Sequence, residues 1–215
     1  MKEKDKILIM NHHGDIKVNE WTLIYIQKKW QHDKNINIFL ENVAYEDFQN
    51  IPNEQCEFKE KLEYLEEMGD KNNHDSDAYL KLAEDLFNLK IPVKGLKNKE
   101  LVYKAEEKVD NHKGDLESAI NSVPKEHDEF MLGVIKKAQG PLIAVIGALH
   151  LIAWLLKNEI STEDYAIILP NHDKILNGLQ SNEYNVQEIY EQILNIQGIQ
   201  VVDIDLAMSL MGEDN

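Results

Sequence analysis

The chain has no arginine. All of its basic residues, 23 among 215, are lysines, set against 39 aspartates and glutamates for a formal net charge of −16. Without guanidinium groups it lacks the usual bidentate clamp for carboxylate or phosphate. So acidic a surface repels phosphate backbones, which excludes general nucleic-acid binding. Cysteine is almost missing as well: Cys56 stands alone, so no intramolecular disulfide framework can form. Its neighbours Glu57 and Glu60 disfavour a thiolate and make it a poor nucleophile. Long apolar runs are also lacking. The longest, Pro141 to Leu156, falls short of the roughly 20 residues that cross a bilayer and is interrupted by Gly147 and His150. After Met-Lys-Glu-Lys-Asp-Lys the chain is apolar only from Ile7 to Met10, too briefly for a signal peptide. The expectation is a protein without a transmembrane segment, either cytoplasmic or secreted without an N-terminal signal. P-loop, Gly-x-Gly-x-x-Gly, His-Glu-x-x-His, Gly-x-Ser-x-Gly and Cys-x-x-Cys motifs are all absent, which counts against nucleotide-binding, zincin and serine-hydrolase chemistry.

What is present is an alternation of strand-like and helix-like segments. Short β-branched runs occur at 7–10, 36–41, 91–96, 142–146, 165–169 and 199–204. Between them, apolar residues at 21, 23, 24, 26 and 30 trace one face of a helix over 19–30. Acidic, helix-favouring sequence fills about 54–90, a long helical stretch covers about 99–123, and Pro124 opens another helix to about 138. Further helices are predicted at 149–157, 172–179 and 185–196, and the last few residues are expected to fray. The pattern predicts a single α/β domain over 1–215. Its core is a layered, mostly parallel sheet of about six strands with flanking helices, and a helical insertion over about 54–139 shapes access to one edge. The opening β-α-β unit predicts a right-handed crossover between neighbouring parallel strands.

Two histidine-bearing turns follow strands: Met10-Asn11-His12-His13-Gly14-Asp15 and Gly147-Ala148-Leu149-His150. A third strand, Ile36 to Leu40, ends in Glu41. In a parallel sheet the carboxyl ends of strands form the ligand-binding edge, so two imidazoles and a carboxylate are expected to converge there. Gly147 suits a tight strand-to-helix turn. His150 falls in the first helical turn, where the helix dipole is expected to keep its imidazole neutral and able to bind metal. Such a centre fits hydrolysis, with a divalent metal making hydroxide available or a His–Glu pair activating water without one. Any one histidine at such a junction is more often a hydrogen-bonded core residue; the coincidence of three polar residues at strand ends favours a site. His172, in Pro170-Asn171-His172-Asp173, also follows a strand and is a lesser candidate. His32, His74 and His112 lie in polar stretches and are expected to face solvent.

These residues resemble the superfamily that includes the erythromycin-esterase-like proteins, the ChaN-like haem-binding proteins and the TraB/TIKI-type metalloproteases. His13-Gly14 matches the His-Gly turn after the first strand better than His12 does. Glu41 matches the second-strand glutamate, and Gly147 to His150 match the late Gly-x-x-His. The segment His127-Asp128-Glu129-Phe130-Met131 is similar to an Arg-Asp-x-x-Met segment, with histidine in place of arginine. The first turn departs from the family pattern, with Ile9 and Met10 near the positions of its glycine and glutamate. The resemblance spans about 6–160. It implies a hydrolase of an ester or peptide bond acting on a small-molecule or peptide substrate. His13, Glu41 and His150 would be the catalytic or metal-ligating residues, with Asp15 assisting and His12 and His172 as weaker ligands. Two alternatives follow from the same resemblance. One is a haem- or ligand-binding protein using a histidine as axial ligand, and the other is a catalytically degenerate bacterial toxin or effector module.

Overall fold

The structure is a computed structural model that describes residues 4–11, 15–44, 75–98, 125–171 and 194–212. Cys56, His12, His13 and His172 lie outside the described residues. So do the helical stretches expected at 54–74, 99–123 and 172–179 and most of 185–196.

Six strands, β1 (Lys6–Asn11), β2 (Asn37–Ala44), β3 (Val93–Lys97), β4 (Leu142–Gly147), β5 (Ala166–Asn171) and β6 (Ile199–Asp203), form one parallel sheet in the order β3-β2-β4-β1-β5-β6. β1 and β2 are therefore not neighbours, against the expectation of a simple crossover. Ala144 of β4 pairs with Leu8 on one side and Phe39 on the other. Composition explains the intrusion. Every residue of β4 is buried, and so uniformly apolar a strand is stable only with partners on both edges and helices on both faces. Parallel pairing still delivers the carboxyl ends of β1, β2 and β4 to one edge.

Strand alternation sorts the core into two clusters. Leu8, Met10, Phe39, Ala144 and Ile146 face α3 (Lys125–Lys137) and α4 (Ala148–Leu156), whose Met131, Ile135, Leu151 and Trp154 pack on them. Ile7, Ile9, Ile38, Leu40, Ile143 and Val145 face α1 (Ile16–His32), α2 (Asp75–Asn88) and α5 (Ile204–Gly212). The result is a sheet between two helical layers. Within 54–139, the described residues supply the edge strand β3 and one helix to each face. None of the described helices is long and apolar enough to cross a membrane.

Capping explains two departures from the expected helix bounds. α1 starts at Ile16, earlier than its apolar periodicity suggested, because Asp15 accepts a hydrogen bond from the Val18 amide at 3.1 Å. α5 begins at Ile204, where the last strand was expected to end, and residues 213–215, expected to fray, lie outside the described residues. There the Asp203 carboxylate accepts the Leu206 amide at 3.0 Å, Ile204 is fully buried, and Lys17 of α1 meets Asp205 at 2.6 Å.

Candidate functional site

Glu41 lies two residues beyond Phe39 on β2, so the pleat turns it toward the layer of α3 and α4. β4 runs alongside, pairing Leu40 with Val145, and brings Gly147 one residue past the level of Glu41. The Gly147 amide donates to Glu41 Oε2. α4 begins at the next residue, which places His150 in its first turn. α3 precedes β4 in a crossover and so runs against the strands, bringing its own first turn, with His127 and Asp128, to the same carboxyl edge.

The three side chains meet there. His150 Nε2 lies 3.2 Å from Glu41 Oε1, and His150 Nδ1 lies 2.7 Å from Asp128 Oδ1. Both carboxylates are buried, and the imidazole side chain is only 14% exposed. The His127 ring packs edge-on to His150 at 5.8 Å, and Trp154, one turn along α4, stands at 6.5 Å. Burial alone pulls the His150 pKa down. The Glu41 charge, the hydrogen bonds to Asp128 and Glu41, and the Asp128 charge more than offset it, raising the pKa from 6.5 to about 10. This overturns the expectation of a neutral imidazole. A helix terminus offers about half an elementary charge, whereas two whole carboxylates lie within hydrogen-bonding distance. His150 is thus an imidazolium that donates Nδ1–H to Asp128 and Nε2–H to Glu41.

That charge state bears on metal binding at His150: a divalent ion or a haem iron would have to displace one of the ring protons that the two carboxylates hold. Among the described residues, no group of three or more His, Cys, Asp or Glu side chains is arranged to hold a metal ion.

The structure brings Glu41 and His150 together and puts Asp15 at the start of α1 as its cap. Gly147 is not needed for its conformation: φ −52° and ψ 137° are open to any L-residue. What Gly147 contributes is its amide. Asn11, which ends β1 opposite Gly147, points to the other face and hydrogen-bonds Asn19 at 3.2 Å. Asp128 was missed as a site residue. Its readable signal lies in α3, where His127 and Asp128 share the buried face with Met131 and Ile135. Polar residues on the core-facing side of an amphipathic helix call for polar partners.

No family model matches the chain, and no curated protein matches it. Among solved structures, the chain is similar to one described as cofacial heme binding to ChaN of Campylobacter jejuni. The TM-score is 0.41 at 14% identity, covering 79% of this chain and 82% of that one.

Proposed function

We propose that the protein is a hydrolase of an ester or peptide bond, with Asp128, His150 and Glu41 as a proton-transfer centre that needs no metal at His150. The observation that carries this reading is the His150 ring, held between two buried carboxylates at the carboxyl edge of a parallel sheet. A ring so placed carries its proton at neutral pH, and transfer to a leaving group requires that group to draw the proton away from the two carboxylates. In the proposed cycle, a water oxygen attacks the substrate carbonyl carbon and its proton passes to Glu41. His150 Nε2–H protonates the leaving oxygen or nitrogen, and the carbonyl carbon keeps the water oxygen as the product acid. The proton on Glu41 then returns to Nε2 across their contact, and the centre is reset. Asp128 holds Nδ1–H and fixes the ring plane throughout. His13 follows β1 by two residues, and β1 ends in register with Gly147. We retain His13, which lies outside the described residues, as a proposed catalytic residue on its sequence position alone.

The test is turnover of a panel of fluorogenic acyl esters and peptide amides in the presence of a chelator. Wild type is compared with His150→Gln and Asp128→Asn variants shown by circular dichroism to be folded. The expected result is chelator-resistant turnover that falls by roughly 100-fold or more in His150→Gln. Undiminished turnover in that variant refutes the assignment.

A further inference from the structure

α3 has a second face. Met131 and Ile135 bury one side of the helix in the core, while Phe130, Gly133, Val134, Lys137 and Ala138, spaced i, i+3, i+4, i+7 and i+8, form another stripe. This stripe walls a groove of about 530 Å³ against the β2–β3 side of the sheet, within the size range of small-molecule sites. Phe39 of β2 forms its floor. Register pairs Phe39 with Lys94 of β3, so both side chains project to the groove. Lys94 Nζ stands 5.7 Å from the Phe39 ring centroid and donates to Asn37 Oδ1 at 2.6 Å. Lys137 reaches the groove from the last turn of α3. At the other end, Glu129 is engaged by Lys125 at 3.6 Å.

Gly133 is the unusual member of the stripe. Glycine is disfavoured inside a helix, and its φ is not of the kind that requires it. A Cβ built there meets no heavy atom within 4 Å, so packing within the protein admits alanine. The open space belongs to the groove. From Phe130 to Ala138 the wall runs about 12 Å along the helix, with Phe130, Val134 and Ala138 as its apolar members and two exposed lysines on the lining, Lys94 near the start of β3 and Lys137 at the end of the opposed α3. On a chain of net charge −16, that is a local reversal of sign.

We propose that this groove binds a medium-chain carboxylic acid, its acyl chain along Phe39, Phe130, Gly133 and Val134 and its carboxylate between Lys94 and Lys137. The site lies on a different face of α3 from the Asp128–His150 contact and does not depend on the hydrolase reading.

Calorimetric titration of the full chain with decanoate, with decanol as the uncharged comparator, tests it. Saturable one-to-one binding of decanoate is expected. Lys94→Gln/Lys137→Gln, at two exposed positions that leave the core intact, should weaken decanoate at least ten-fold and leave decanol unchanged. Gly133→Leu, which fills the groove, should abolish both. The absence of saturable decanoate binding to the wild type overturns the proposal. So does binding that the lysine pair does not affect, and so does decanoate binding retained by a folded Gly133→Leu.

Discussion

The His150 imidazolium makes stability depend on pH in a window where few other groups titrate. Its pKa is 6.5 in an unfolded chain and about 10 in the folded protein. The folded state therefore binds one more proton than the unfolded state between these values. Stability from this group is fully present below pH 6.5 and is lost as pH rises through about 10. The gap corresponds to about 5 kcal/mol as an upper value, and the slope to about 1.4 kcal/mol per pH unit. Lysines also begin to titrate near the top of the window, so the measurement is a difference. Urea unfolding of wild type and His150→Gln at pH 6, 7, 8 and 9 gives two curves, and their separation isolates the imidazole. We expect the advantage of wild type over His150→Gln to shrink steadily from pH 7 to 9. In Asp128→Asn the loss should be smaller in total and end at lower pH, because one of the two groups that raise the folded pKa is gone. A wild-type advantage that stays flat or grows over this range refutes the reasoning. So does a histidine ring that NMR shows to be neutral at pH 8.

Two further outcomes follow from contacts described above. Glu41→Ala leaves the buried His150 Nε2–H and the Gly147 amide without their acceptor and should cost about 3–5 kcal/mol in urea unfolding, whereas Glu41→Gln keeps an oxygen for that amide and should cost less. Gly198→Ala should lower the melting temperature, with a cost of about 1–3 kcal/mol. Its φ is +93°, and the added Cβ would stand 2.6 Å from Thr162 Oγ1, disturbing the hydrogen bond from that hydroxyl to the Gln197 carbonyl at 3.0 Å.

The strands were legible in the sequence because each is a short apolar run closed by turn or capping residues. Glu41 and the Gly147–His150 turn stood out because polar residues at the ends of such runs need a reason to be there. The strand order was not legible: the linear pattern places β2 after β1, and nothing local in Leu142 to Ile146 announces that this strand separates them. Uniform burial is a property of the assembled sheet. Asp128 could be glimpsed within the segment His127 to Met131, yet its pairing with His150 depends on the angle at which α3 crosses the sheet. The charge of His150 was misjudged for the same reason. A helix terminus can be read from neighbouring residues, but two carboxylates from distant segments cannot, and at hydrogen-bonding distance they prevail. α5 was overlooked because its capping residue, Asp203, is also the last residue of a strand.

The position of β4 also governs the order in which the molecule can assemble. β1 and β2 are made early, but in the described sheet each finds its central partner only in β4, and Glu41 waits across 106 residues for the Gly147 amide. Closing loops of that length before their contacts repay the lost chain entropy slows folding. During synthesis two apolar strands emerge from the ribosome well before the strand that joins them, a period in which exposed edges invite association between chains. The large negative charge, which as a surface property argued against nucleic-acid partners, gives such unfinished chains a mutual repulsion while they wait.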